Sequence, residues 1–158
     1  MVLKHFQINE YVKQTRKKTP IQLAAFDILF SVSNFQIRES ILGHHNLLVA
    51  KAYEELAYAT YVHEYSSGHF EKAKKHAESA LLIMQDIIPS NHLLVASSQR
   101  VLALILEEIA IDDLGDKKAS QGMLAHAEKL HLSAVNLSTK AFGEKNVQTA
   151  KHYGNLGR

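Results

Sequence analysis

Leu47-Leu48-Val49-Ala50 recurs letter for letter as Leu93-Leu94-Val95-Ala96, an offset of 46 residues. A fainter third copy, Val147-Gln148-Thr149-Ala150, follows the second by 54 residues. Self-similarity at a spacing of roughly 40 to 50 residues is the sequence mark of a solenoid, in which supersecondary units stack to bury a continuous core. The likeness extends beyond the four letters. Each copy follows an apolar residue and a residue that ends helices: Leu42-Gly43, Ile88-Pro89 and Phe142-Gly143. Six residues after each terminal alanine stands a leucine with a small neighbour: Leu56-Ala57, Leu102-Ala103 and Leu156-Gly157.

The composition is consistent with such a chain. Of its 158 residues, 46% are apolar and 22% charged, ordinary for a globular protein with a sizeable core. The net charge of +2 comes without a basic stripe interleaved with aromatics, which argues against nucleic acid as a partner. Cysteine is absent, excluding disulfides and thiolate metal sites and fitting a reducing compartment. No apolar run approaches the roughly 20 residues of a membrane span. Lys4, His5, Gln7 and Asn9 interrupt what would be a signal peptide's apolar core.

Residues 1–19 are expected to form a basic N-terminal tail. Lys13-Gln14-Thr15-Arg16-Lys17-Lys18 is a run that could touch microtubules, acidic lipid or an importin, although a solvated tail is the preferred reading. Thr19-Pro20-Ile21-Gln22 then reads as a helix start, with a cap, a first-turn proline and a capping-box glutamine. Ser31-Val32-Ser33-Asn34 predicts a break near Asn34, and Gly43 a stop. Helical spacing predicts further helices from Leu47 to about Ser66, from Phe70 to Pro89, and from Leu93 to Ile111. The polar stretch from Asp112 to Ser120 reads as a loop, since its acids lack the order of a calcium-binding loop. A helix from Met123 to Phe142 follows, and another begins at Val147.

The paired helices match as well, Ala73/Ala77/Ala80 against Ala127/His131/Ala134. Small residues there let antiparallel helices approach to about 8–10 Å. Leu56-Ala57 in a first helix, Gly68-His69-Phe70 at the turn and the alanines beyond resemble tetratricopeptide (TPR) repeats. The long connections opening Leu42-Gly43 and Phe142-Gly143, and the stretch from Ala150 to Arg158, resemble the kinesin-light-chain variety. The lengthened intervals narrow this further. Tyr65-Ser66-Ser67-Gly68, the run from Ala103 to Asp112 and that from Lys140 to Arg158 resemble the amyloid protein-binding protein 2 family, over residues 36–158.

The resemblance implies an all-α TPR-type solenoid of antiparallel helix pairs over residues 20–158, with repeats at 44–88 and 90–142 and a partial repeat at 146–158. It also implies a cytoplasmic, non-catalytic adaptor with cytoskeletal and nuclear association. The family is linked to microtubules and to trafficking of the amyloid precursor protein. It serves as substrate receptor of a cullin–RING ubiquitin ligase and reads the C-terminal tails of target proteins. The ligase-assembly segment lies toward the family's N-terminus, outside the resemblance, so cullin–RING components would be met through other regions. A structural TPR scaffold, or a kinesin-light-chain-like cargo adaptor without a ligase role, is the alternative.

Residue chemistry supports no catalysis. No nucleophile motif, phosphate-cradling glycine loop or paired-carboxylate arrangement stands in a recognisable context. His63-Glu64 lacks the second histidine of a zinc-protease helix, and His44-His45 or His69 with His76 make weak metal sites, so no cofactor or metal is expected. Glu107-Glu108 reads as a solvated helix end, and the Tyr53/Tyr58/Tyr61/Tyr65 stripe mostly as repeat core.

In TPR arrays the first helices line a groove. With Leu56, Leu102 and Leu156 as inward anchors, flanking positions select Lys51, Glu54 and Tyr58, then Ser97, Arg100 and Leu104, then Lys151, Gly154 and Arg158. Lys51, Arg100, Lys151 and Arg158 would form a basic wall suited to a peptide carboxylate or acidic motif. Asn155 matches the asparagine that kinesin-type repeats set beside the leucine, where it bonds a peptide backbone. Exposed charge without a ligand is the competing reading for each.

Overall fold

The computed structural model describes residues 20–112 and 115–157. Among them are six helices and no strand. These are α1 (Pro20–Leu42), α2 (Leu47–Glu64), α3 (Glu71–Ile87), α4 (Leu93–Asp112), α5 (Lys117–Phe142) and α6 (Val147–Leu156). Each packs against its successor, giving antiparallel pairs α2/α3 and α4/α5. In addition α2 touches α4 and α4 touches α6, so the first helices of successive units stand side by side. The basic tail and Thr19 lie outside the described residues.

The residue just before each tetrapeptide supplies a cap that the repeat comparison overlooked. Asn46 Oδ1 accepts from Leu48 N at 2.8 Å, and Asn146 Oδ1 from Gln148 N at 2.8 Å. His92 Nδ1 accepts from Leu94 N at 3.1 Å, so the second copy is capped by an imidazole. Each answers an N–H that a helix start leaves without an intrahelical partner. Gly43 ends α1 at φ +75, a conformation that costs glycine nothing. Gly68 is constrained twice: its φ is +67, and a Cβ there would meet Asp112 Oδ2 at 3.0 Å.

The paired-helix alignment is met in the core. Ala73, Ala77 and Ala80 are each 0% exposed, and Ala127, His131 and Ala134 no more than 1%. Leu56 and Leu102 are buried anchors, while Leu156 is half-buried. The apolar run of α4 is buried through Val101, Leu102, Ala103, Leu104, Ile105 and Leu106. Leu104, expected in the groove, is therefore core.

Three further expectations are corrected. Helix α1 runs unbroken through Asn34. Ser33 Oγ donates back to Leu29 O at 3.0 Å, so its hydroxyl is satisfied on the helix rather than competing with it. The Phe35 ring also lies 4.3 Å from Tyr53, tying the second half of α1 to α2. The loop before α5 ends earlier than expected, because Asp116 Oδ1 accepts from Lys118 N and Ala119 N at 3.0 and 3.1 Å and starts the helix at Lys117. Glu107-Glu108 is no solvated end. Tyr61 Oη donates to Glu108 Oε1 at 3.2 Å, and Glu107 Oε1 pairs with His131 Nε2 at 3.1 Å.

Candidate functional site: a cationic cleft between α4, α5 and α6

Helix α6 is short, and its first two turns face α4 across the end of α5. There Leu93, Ser97, Arg100, Ser138, Phe142, Gln148, Lys151, His152 and Asn155 line a cleft of about 570 Å³, within the usual size range of ligand sites. Ser97, Arg100, Lys151 and Asn155, drawn from two copies of the repeat, thus meet in one place. Phe142 and Leu93 add an apolar floor beside the two cations.

Lys51 is exposed on α2, outside the lining. Glu54 divides the wall. Its Oε1 accepts from Ser97 Oγ at 2.6 Å, joining α2 to α4 beside Arg100 and Lys51. Burial lifts the Glu54 carboxyl above its usual range, opposed by the Ser97 hydrogen bond and then by Arg100 and Lys51. A carboxylate therefore partly neutralises the α2 side, and the open positive field is concentrated between α4 and α6. Tyr58 stays apart, 47% exposed with its ring 6.1 Å from that of Tyr61. Gly154 is exposed and carries no side chain to contribute. Arg158 lies outside the described residues.

Glu54→Gln should cost no stability at neutral pH, because the amide oxygen still accepts from Ser97 and no buried charge remains. The raised carboxyl is a penalty on the folded state above its pKa, and it vanishes as protonation sets in. Thermal unfolding of variant and parent should therefore converge as pH falls toward the ordinary carboxylate range.

Sequence reasoning missed His152 and Gln148. His152 occupies the register of Ala52 and Ser98 in the earlier copies, both buried small residues. A repeat comparison therefore assigns it to the core, and it is indeed only 9% exposed. Its Nδ1, however, is buried without a hydrogen-bond partner, and the residue belongs to the cleft lining. The signal available was a polar ring where two copies carry nothing larger than serine.

Among the described residues no three His, Asp or Glu side chains converge as a metal site, and no helix is long and apolar enough to cross a membrane. The lining offers cations, amides and hydroxyls for holding an anionic chain.

These helices and their side-by-side first helices define a TPR-type helical-repeat protein. No family model matches the chain. Amyloid protein-binding protein 2 of Rattus norvegicus and that of Mus musculus are each 60% identical to it over 122 residues, 77% of this chain. The chain is similar to these relatives over that stretch and spans 21% of their length.

Proposed function

We propose that the chain is a non-catalytic protein-interaction adaptor that seats an anionic segment of a partner protein in the α4–α6 cleft. The observation that carries this reading is the convergence of Arg100, Lys151 and Asn155 with His152 around one cleft. Arg100 supplies a planar fork for a carboxylate, Lys151 a mobile point charge, and Asn155 an amide able to donate to or accept from a peptide backbone. The relatives' name describes binding to an amyloid protein, which supports a protein ligand. Within the whole protein, the finer reading is substrate receptor of a cullin–RING ubiquitin ligase, reading target C-terminal tails. A microtubule-linked role in amyloid precursor protein trafficking, and a cytoplasmic location, accompany it.

Fluorescence anisotropy with labelled tail peptides carrying a free C-terminal carboxylate tests the cleft. Binding should weaken as salt rises, since exposed charges contribute most of the attraction. Arg100→Glu should weaken it by about tenfold or more, the loss expected for a charge-assisted hydrogen bond of about 1.5–3 kcal/mol. An array that binds no such peptide, with Arg100→Glu inert, would be a structural spacer instead.

A further inference from the structure

The adaptor reading uses Arg100 and Lys151 as fixed charges and leaves the imidazole between the helices without a task. His152 is 9% exposed, yet its Nδ1 has no hydrogen-bond partner. A buried polar atom left this way costs stability unless something else answers it. Its surroundings show what could. Arg100 faces it from α4 and Lys151 stands next to it on α6, both cationic. From α5 the cleft receives Ser138 and Phe142, which bring no charge. The acid Glu54 reaches Ser97 and Arg100 from α2 and is no part of the cleft lining. The imidazole thus sits in a cationic cleft whose lining contains no carboxylate.

Resting on the proposed anion-binding cleft, we infer that His152 is its proton-coupled ligand residue: neutral while the cleft is empty, it takes a proton as a carboxylate enters beside Arg100 and Lys151. Binding of the anion then strengthens as pH falls. Burial, and after it the positive charge of Arg100, holds the His152 imidazole below its ordinary range, consistent with a neutral resting ring. An incoming carboxylate beside Arg100 and Lys151 reverses the local field at the ring. The added negative charge then favours the imidazolium. By linkage, the ligand binds the protonated chain more tightly by the factor with which it raises the histidine's proton affinity.

The carboxylate could be a chain terminus or an acidic side chain, and small probes distinguish these. The full chain with ¹⁵N-labelled histidine and backbone is titrated with acid in the presence of N-acetylglycine, of N-acetylglutamate α-amide, or of N-acetylglycinamide as the neutral control. The His152 midpoint should rise by about half a pH unit or more with a carboxylate and stay put with the neutral amide. That rise corresponds to about threefold tighter binding in mild acid than at neutral pH. The carboxylate with the larger effect identifies the source. His152→Gln, which keeps a hydrogen-bonding amide but cannot titrate, should abolish the pH dependence of probe binding.

If probe carboxylates move the backbone signals of Arg100 and Lys151 while the His152 midpoint stays unchanged, the proton coupling is wrong and the adaptor reading survives. Silence at every cleft signal would overturn the cleft itself, and this inference with it.

Discussion

Ile105→Ala is expected to destabilise the chain by about 2–5 kcal/mol, the range for truncating a buried aliphatic side chain to alanine. Ile105 is 0% exposed at the middle of α4, the helix that packs against both α3 and α5 and also touches α2 and α6. In a solenoid each unit is stabilised chiefly by its neighbours, so a cavity in the shared helix weakens interfaces on both sides. Domains of this size are held by only about 5–15 kcal/mol, so the loss is a large share of the total. Urea unfolding should show a clearly lower midpoint with little change in slope. Leu82→Ala is the control. That leucine is 71% exposed on α3, and its truncation should stay within about 0.5 kcal/mol. Equal effects at the two positions would mean that α4 is not the shared core of the array.

The periodic part of this architecture was legible because its physics is repeated. A helix-ending residue, a tetrapeptide that opens a first helix and a leucine anchor recur in fixed register, and the alanines of α3 and α5 fall on one buried line. What the sequence concealed lay where one copy departs from another or where a side chain answers a local need. Ser33 reads as a helix weakener until its hydroxyl is seen bonded to Leu29 O. Asp116 reads as loop until it is seen capping α5. The cleft was half legible. Charge and register selected Arg100 and Lys151, but not the division of the wall by Glu54. His152 was not selected at all, because its register in the earlier copies holds the buried Ala52 and Ser98.

The Glu107–His131 contact between α4 and α5 shows the same departure in energetic form. Glu107 holds the register of Tyr61 in the preceding copy, and His131 that of Ala77. The first unit joins its helices there with an aromatic ring and a methyl group inside the apolar cluster. The second uses a carboxylate and an imidazole 3.1 Å apart, with His131 1% and Glu107 20% exposed. Removing Glu107 takes away the carboxylate that meets the His131 ring, which is only 1% exposed. Glu107→Ala should therefore lose about 1–3 kcal/mol, the cost of leaving a buried polar group unanswered. Replacing both polar side chains at similar volume, as Glu107→Met with His131→Leu, should restore most of that loss, since apolar groups of the same shape commonly replace a buried polar pair at little cost. The preceding unit already joins its helices by apolar packing at these registers. Chemical denaturation of the two single variants and the double variant measures the coupling directly. A double variant no more stable than Glu107→Ala would show that the pair is needed for the geometry of the α4/α5 packing, rather than being one of two interchangeable ways of closing it.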